Sequence, residues 1–420
     1  MMAKYSIGGE LMSTLWDFRY AERTQRMKGS AIRELLSFSI RKDVISFAGG
    51  MPAPEVFPYD KFRESCDIVL RENGAACLQY GSTDGYLPLR EMIARHSSRY
   101  GIHVEASNIL PTSGSQQALD LLGRIFINRG DTILVESPTY LGALQAWKNY
   151  GAQFTTVPVD DNGMQTDQLA EKLRAGVKFI YVLPNFQNPT GLTLSYERRL
   201  KLIEVADRFG IPIIEDDPYG QLRYEGEHLP AVEVLDSQAR SQVTCYSGNV
   251  IYLSTFSKTL APGIRLAWVI APVEIVQKMI LAKQAADLHT STFNQITAHE
   301  VSKSGFLDDH VKFIQNVYRE RRNTMLDALT EHMPDEVSWT HPKGGLFLWA
   351  TLPEHISTRD YFHAALEKNV AFVPGNVFFA EEAGKNTMRL NFSNAKPEMI
   401  NEGIGRLGLV IKDHLMKNKQ

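Results

Sequence analysis

The sequence predicts an α/β fold, with a mostly parallel central sheet that has helices on both faces and a smaller α/β domain after it. Between residues 132 and 214, short apolar runs rich in β-branched residues alternate with segments of helical periodicity. Strand, helix and strand in succession indicate right-handed parallel βαβ units. The last third of the chain differs, because a long charged helix precedes shorter apolar strands. A chain of 420 residues also favours two domains over one core.

The individual elements follow from these patterns in chain order. The first forty residues have helical character, and a short strand near Ile45 runs into a glycine-proline loop. We predict helices at 86–100, 141–150, 167–173 and 195–209, and strands at 132–135, 154–157, 179–183, 211–214, 250–253 and 266–270. The smaller domain is predicted from a helix at 311–329 and strands at 345–349, 371–373 and 388–392. We therefore divide the chain into an amino-terminal segment (1–60) that joins the small domain and gates substrate, a large domain (61–310) and a small domain (311–420).

Four polar residues follow predicted strands of the large sheet. Ligands of such sheets collect at the carboxyl ends of the parallel strands. We therefore expect these side chains to meet at one edge of the sheet: Tyr140, Asn188, Asp216 and Lys258.

Lys258 is predicted to lie on a turn between two buried strands. Apolar walls or a second cation lower the pKa of such a lysine and turn its amine into a nucleophile. Thr255, Ser257 and Arg265 place hydroxyl donors and a cation around it, which suits a phosphate. The residues alone leave three interpretations open: a solvated loop lysine, a Ser257–Lys258 hydrolytic pair, and a lysine that condenses with a phosphorylated aldehyde.

A second anion site is indicated at Ser115 and Gln116, where a small polar loop precedes a predicted helix. Free backbone amides and the positive end of the helix dipole attract anions there. The same residues are also typical of an ordinary helix cap.

Composition limits the other function classes. The formal net charge of −3 gives no whole-chain attraction to nucleic acid or to acidic membranes. The cysteines, Cys66, Cys77 and Cys245, are widely spaced, which fits a cytoplasmic protein and predicts no metal site. No apolar run approaches the length that spans a bilayer.

Four ordered motifs resemble those of the fold type I pyridoxal-phosphate (PLP) aminotransferases, class I and II. The resemblance covers nearly the whole chain and is closest to the branch that holds 2-aminoadipate, kynurenine and aromatic aminotransferases. The motifs are Asn188-Pro189-Thr190-Gly191, Asp216-Asp217-Pro218-Tyr219, Ser257-Lys258 with Arg265 seven residues on, and Arg389 within Met388-Arg389-Leu390-Asn391-Phe392-Ser393.

The resemblance implies PLP as cofactor and a role for each residue around its ring. Lys258 would form the Schiff base with the cofactor and then carry the proton of the substrate α-carbon. Asp216, rather than its neighbour Asp217, would pair with the pyridine nitrogen. Tyr219 and Asn188 would hydrogen-bond the ring oxygen, and an aromatic side chain would stack on the ring at Tyr140.

The same resemblance assigns the phosphate and substrate contacts. Arg389 would bind the substrate α-carboxylate together with Asn188, whereas Gly50 and Arg33 would contact the side-chain end. Arg33 could equally belong to the solvated face of an amphipathic helix. The phosphate would be held by Ser115, Gln116, Thr255, Ser257 and Arg265, and by Tyr80 reaching across the interface of a homodimer.

The implied activity is transfer of an amino group by a ping-pong mechanism. Glutamate and 2-oxoglutarate would form one substrate pair, and 2-aminoadipate, an aromatic amino acid or a broad range of donors would supply the other. A β-lyase or decarboxylase with the same cofactor is the alternative. The fold also occurs as the effector domain of bacterial transcription regulators, but the segment before Ile45 is too short for their winged-helix domain, so we expect small-molecule partners and no nucleic acid.

Overall fold

The computed structural model describes residues 16–27, 29, 43–240 and 246–417. Among these residues the strands, numbered in chain order, are β1 Ile45–Ser46, β2 Ile109–Thr112, β3 Thr132–Ser137, β4 Gln153–Asp160, β5 Gly163–Met164, β6 Ile180–Val182, β7 Ile213–Asp216, β8 Val250–Thr255, β9 Ala267–Ile270, β10 Ser338–Trp339, β11 Phe347–Thr351, β12 Val370–Ala371, β13 Val373–Pro374 and β14 Thr387–Asn391.

The α-helices are numbered in the same way. They are α1 Tyr59–Cys77, α2 Leu87–Ser98, α3 Ser115–Phe126, α4 Leu141–Lys148, α5 Leu169–Arg174, α6 Tyr196–Phe209, α7 Val232–Ala239, α8 Val273–Asp287, α9 Thr292–Ser302, α10 Phe306–His332, α11 Thr358–Glu367 and α12 Pro397–Lys417. No helix in the described ranges is both long enough and apolar enough to cross a membrane.

The large sheet has eight strands in the order β2-β9-β8-β7-β6-β3-β4-β5. Strands β4, β3, β6, β7 and β8 are parallel neighbours, which confirms the predicted α/β class and the mostly parallel sheet. Strand β9 is antiparallel to β8, with Thr255 opposite Ala267. The connection between them is too short for the crossover that a parallel pair requires. Lys258 lies on this connection, as the sequence predicts.

Helices cover both faces of this sheet because successive residues of its strands point to opposite sides. In β6, Ile180 and Val182 belong to one buried core, which α2, α6 and α7 complete. Tyr181 belongs to a second core on the other face, where α3, α4 and α8 pack. The polar residues that end these strands therefore stand at the rim of a sheet buried on both sides.

A second, antiparallel sheet has the order β10-β11-β14-β13, and β1 pairs with β12 so that Ile45 lies opposite Val370. Residues from 44 to 56 share one hydrophobic core with the last third of the chain. Helix α10 crosses the predicted domain boundary at residue 311, because Leu307 and Val311 pack in a core of the large sheet, whereas Ile314 packs with the second sheet. The domain division itself stays a prediction.

Gly191 brings the loop after β6 against the second sheet. Its φ is +73°, and a Cβ at this position would lie 2.4 Å from the carbonyl oxygen of Phe347 in β11. A side chain would therefore meet backbone that is fixed by sheet pairing. Gly176 has a similar φ of +85°, but a Cβ placed there would have nothing within 4 Å.

We predict that Gly191→Ala lowers the free energy of unfolding more than Gly176→Ala does. Both substitutions introduce the strain of a positive φ, which costs about 1–2 kcal/mol. Only Gly191→Ala adds a steric clash, worth about 1–3 kcal/mol more. Urea unfolding followed by circular dichroism measures both values, and equal losses would contradict the packing described for Gly191.

Candidate active site

The Lys258 amine is held at the junction of the two sheets. Its Nζ donates a hydrogen bond to the carbonyl oxygen of Gly50 at 2.8 Å and lies 6.0 Å from the centre of the Tyr219 ring. Burial lowers the pKa of Lys258 to about 8, and the positive charges of Arg389 and Arg265 add to this effect. About a tenth of the amine is therefore uncharged at pH 7, far more than for a freely solvated loop lysine.

Asp216 ends β7 and is 3% exposed. Its Oδ2 accepts a hydrogen bond from the Tyr181 hydroxyl at 2.7 Å, whereas its Oδ1 is buried and has no partner among the described residues. Burial raises the pKa of Asp216 to about 7, the Tyr181 hydrogen bond opposes the rise, and the charge of Asp217 adds to it. A buried acceptor without a partner is costly, so this oxygen is suited to a ligand that brings a proton.

The two neighbouring carboxylates are satisfied by the protein. Asp217 accepts hydrogen bonds from Asn185 Nδ2 and from the Tyr252 hydroxyl, both at 3.0 Å. Glu215 accepts from the backbone amides of residues 232 and 233, both at 2.9 Å, at the start of α7. Both face the side of the sheet opposite Asp216, because side chains alternate along β7. The geometry thus favours Asp216 over Asp217 as the ligand-binding carboxylate.

Arg389, in β14 of the second sheet, is a buried cation with polar but uncharged partners. It donates to Asn188 Oδ1 at 2.8 Å and to the carbonyl oxygen of Ala48 at 2.7 Å, and no described residue is a partner of its Nε. The guanidinium lies 4.3 Å from the ring centre of Phe347 and 4.9 Å from that of Phe378. Burial lowers the pKa of Arg389 to about 10. The arrangement leaves its charge available to a carboxylate.

Ser115 is the first residue of α3, and its Oγ is buried without a partner in the part of the chain that the structure describes. Arg265 lies over this helix end, because a Cβ at Gly114 would be 2.5 Å from Arg265 Nη2. The glycine is therefore needed for the close approach of the cation. Arg265 itself has a left-handed φ of +49°. A helix amino terminus under a guanidinium forms a strong anion site.

Hydroxyls from the Lys258 turn add to this site. Thr255 Oγ1 and Ser257 Oγ are 3.0 Å apart, and the Ser257 backbone amide also donates to Thr255 Oγ1 at 3.0 Å. Gln116, on the other side, donates from Nε2 to the carbonyl oxygen of Gly142 at 3.0 Å. Gln116 thus links the start of α3 to the start of α4.

Tyr140 is the N-cap residue of α4. Its ring packs closely on Gly142, because a Cβ on Gly142 would be 2.4 Å from Tyr140 Cζ. Burial raises the pKa of Tyr140, and the charge of Asp216 raises it further. Burial also raises the pKa of Tyr219, whereas a side-chain hydrogen bond with Asn188 partly offsets this rise by lowering the pKa. These contacts connect Tyr140, Asn188, Asp216 and Lys258, so the prediction that they meet at one edge is confirmed.

Two predicted site residues are not placed with the others. Tyr80 is 79% exposed and packs its ring edge-on against His289. Arg33 lies outside the described residues. Glu22, earlier in the amino-terminal segment than Gly50, lies away from this edge, since it pairs with Arg129 at 2.8 Å, just before the start of β3.

Tyr181, Phe347 and Phe378 are contacts that the sequence did not predict. For Tyr181 a signal exists, because it lies opposite Ile214 in the parallel pair β6 and β7. Ile214 and Asp216 are two residues apart and share a face, so the tyrosine and the carboxylate are diagonal neighbours. The two phenylalanines reach Arg389 only through the folding of the second sheet, and no local pattern marks them.

The donor set fits PLP and an amino acid. Buried polar atoms without partners occur where the cofactor ring nitrogen, its phosphate and a substrate carboxylate would be expected: Asp216 Oδ1, Ser115 Oγ and Arg389 Nε. The Lys258 amine lies among these groups, next to the cations that lower its pKa.

Comparison with known proteins gives the family. Residues 58–407 match the model of aminotransferase class I and II. The chain is 48% identical over 405 residues to aromatic-amino-acid aminotransferase 1 of Thermococcus litoralis, covering 95% of each chain. It is 43% identical over 398 residues to 2-aminoadipate transaminase of Thermus thermophilus, covering 94% of this chain and 97% of that one.

Solved structures of other aminotransferases share the fold of this chain. The multiple substrate aminotransferase of Thermococcus profundus superposes with a TM-score of 0.90 at 45% identity, covering 96% of this chain and 100% of the other. The α-aminoadipate aminotransferase of Thermus thermophilus, complexed with N-(5′-phosphopyridoxyl)-L-leucine, gives a TM-score of 0.89 at 42% identity, with the same coverage. The chain therefore belongs to the class I and II aminotransferases and is a PLP-dependent enzyme of fold type I.

Proposed function

We propose that this aminotransferase moves the amino group between an L-amino acid, either aromatic or 2-aminoadipate, and 2-oxoglutarate by a ping-pong mechanism. The observation that carries the proposal is the buried Arg389 cation, whose described partners are all uncharged, beside a lysine amine of lowered pKa. The names of the relatives support the donor classes. A shared pair of glutamate and 2-oxoglutarate would return the enzyme to its starting form.

Lys258 would bind the cofactor covalently and later move the proton of the substrate α-carbon. When bound, PLP withdraws electrons from that carbon and so supplies the carbanion stabilisation. A pKa of about 8 suits both tasks, because the amine can be protonated and deprotonated near neutral pH. The hydrogen bond to Gly50 holds the amine at the junction of the sheets.

Asp216 would hold the ring nitrogen through its unpaired Oδ1. Tyr219 and Asn188 would bind the ring oxygen, and Tyr140 would stack on the ring. Because Asn188 also accepts from Arg389 at 2.8 Å, the ring-oxygen site and the carboxylate site share one amide.

The phosphate would be held by the start of α3 and by the Lys258 turn. Arg265 supplies the charge over Ser115, whose Oγ has no other partner. Thr255 and Ser257 contribute hydroxyls, and Gln116 closes the side next to α4.

At the substrate end, Arg389 would clamp the α-carboxylate with its planar guanidinium, which orients the α-carbon for proton transfer. Gly50 would contact the side-chain end of the donor, and a Cβ at this position would crowd the Phe347 ring, because it would lie 3.2 Å from Phe347 Cζ. A contact of Arg33 with the donor side chain remains part of the proposal, as does a gating role for residues 1–60.

The active unit in this proposal is a homodimer in which Tyr80 reaches the phosphate of the partner's site. An exposed tyrosine supports this assembly, because 79% of Tyr80 is free to meet a second chain. A cytoplasmic location, favoured by the cysteine usage, completes the proposal.

The enzyme loaded with PLP is expected to form glutamate from 2-oxoglutarate with phenylalanine, tyrosine, kynurenine or 2-aminoadipate as donor. Parallel double-reciprocal plots would support the ping-pong order. Lys258→Ala should lower kcat by more than about a hundredfold, since acid–base catalysis and the covalent anchor are both lost. Borohydride should fix the cofactor to the Lys258 peptide in the wild type only. Release of ammonia or carbon dioxide without glutamate formation would contradict the proposal.

The Lys258 amine should react as a base of pKa about 8 in the cofactor-free enzyme. Competitive acetylation at different pH values, followed by mass spectrometry of the Lys258 peptide, measures this midpoint. Arg389→Met should move the midpoint upward, because removing a nearby cation favours the charged amine. The matched control Arg71→Met, on the surface of α1, should leave it unchanged. A wild-type midpoint near 10.5 would contradict the described environment.

Hybrid dimers test the placement of Tyr80. A chain with Tyr80→Ala is mixed with a chain carrying Lys258→Ala, and the hybrids are purified by differential tags. If Tyr80 serves the partner's site, each hybrid has one complete site and should bind PLP at that site with wild-type affinity. If Tyr80 serves its own chain, or if the protein is monomeric by sedimentation, no wild-type site will form.

A further inference from the structure

We propose that Tyr181 is a positioning residue for the cofactor: its hydrogen bond orients the Asp216 carboxylate and keeps it a weak base, so that the shared proton stays on the ring nitrogen. This inference rests on the proposed role of Asp216 and extends it. Tyr181 does not touch the ring in this scheme and acts only through the carboxylate.

Tyr181 is fixed by its surroundings. It lies in the middle of β6 between β3 and β7 and is fully buried. Its ring meets the Trp147 ring edge to face, with centres 5.0 Å apart, and Trp147 Nε1 donates to the carbonyl oxygen of Leu119 at 2.9 Å. The hydroxyl therefore cannot swing away from Asp216 without disturbing the core on that face of the sheet.

This rigidity determines which carboxylate oxygen is free. The Tyr181 hydroxyl donates a hydrogen bond to Asp216 Oδ2 at 2.7 Å. Rotation of the Asp216 carboxyl group would therefore break a hydrogen bond inside a buried core. The remaining oxygen, Oδ1, is the one without a partner. The tyrosine thus presents a single, oriented acceptor to the ligand.

The hydrogen bond also sets the basicity of Asp216. Burial and the charge of Asp217 both favour the protonated carboxyl, and the Tyr181 hydrogen bond opposes them. The other titratable groups that face this region do not replace it. Tyr140 and Tyr219 are neutral because burial raises their pKa values, and burial raises the pKa of Glu136, on β3, to about 7. Without Tyr181, Asp216 would become a stronger base and draw the proton from the ring nitrogen.

The chain offers a matched control on the opposite face of the sheet. Tyr252, in β8, donates to Asp217 Oδ2 at 3.0 Å, and Asp217 has a second donor in Asn185. Tyr252→Phe therefore removes the same chemical group from a neighbouring buried carboxylate that faces away from the site. A purely structural effect of losing a buried tyrosine hydroxyl should be similar in both variants.

The test uses enzyme loaded with PLP that is labelled with ¹⁵N in the ring, whose chemical shift reports whether that nitrogen carries a proton. In Tyr181→Phe the signal should move toward the unprotonated value, and PLP should dissociate about tenfold more readily at equilibrium. The kcat should fall more than the KM for the amino donor rises. Tyr252→Phe should match the wild type in all three measurements. The substitution keeps the ring that packs on Trp147, and thermal melting of the cofactor-free proteins checks that both variants fold.

Asp216→Asn separates failure of this inference from failure of the proposed function. If Asp216→Asn shifts the ¹⁵N signal and Tyr181→Phe does not, the role of Tyr181 is wrong while that of Asp216 stands. If neither substitution shifts the signal, Asp216 is not the partner of the ring nitrogen, and the roles proposed for Asp216 and Tyr181 both fail, whereas glutamate formation still tests the amino transfer itself. Equal shifts in Tyr181→Phe and Tyr252→Phe would also overturn the inference, because the effect would then not depend on contact with Asp216.

Discussion

The register of the parallel strands β6, β7 and β8 is the constraint on which the site depends. Tyr181 lies opposite Ile214, and Asp216 lies opposite Leu253. Strand side chains alternate between the two faces of a sheet. A slip of one residue in β7 would therefore turn Asp216 away from the site and turn Glu215 and Asp217 toward the site. The hydrophobic cores on both faces of the sheet hold this register, so packing far from the site decides which carboxylate faces the candidate site.

The second constraint is the placement of buried charges beside uncharged partners. Arg389 is surrounded by a backbone carbonyl, an amide and two aromatic rings, and Asp216 by a tyrosine hydroxyl. Each arrangement is by itself less favourable than an internal ion pair would be. In the proposed function a ring cation and a carboxylate would supply the missing partners, so binding of cofactor and substrate would also relieve the cost of burial.

The site requires both sheets. The large sheet provides Lys258, Asp216 and the anion-binding start of α3, whereas Arg389 comes from β14 of the second sheet. Close backbone contact at Gly191 and the bond from Lys258 to Gly50 bring the two parts together. Movement of one sheet relative to the other would therefore change the distance between Arg389, the proposed carboxylate clamp, and the Lys258 amine.

The sequence by itself determined the alternation of strands and helices, and with it the edge at which the reactive residues meet. It also predicted roles for Lys258, Asn188, Arg265 and Arg389, because the motifs that resemble the family are local and ordered along the chain. Only the tertiary structure decided that Asp216 rather than Asp217 keeps a free oxygen, that β9 turns back antiparallel, and that Tyr181 holds the carboxylate. Periodicity is a property of neighbouring residues, whereas strand register and the partners of a buried charge depend on packing between segments that are distant in sequence.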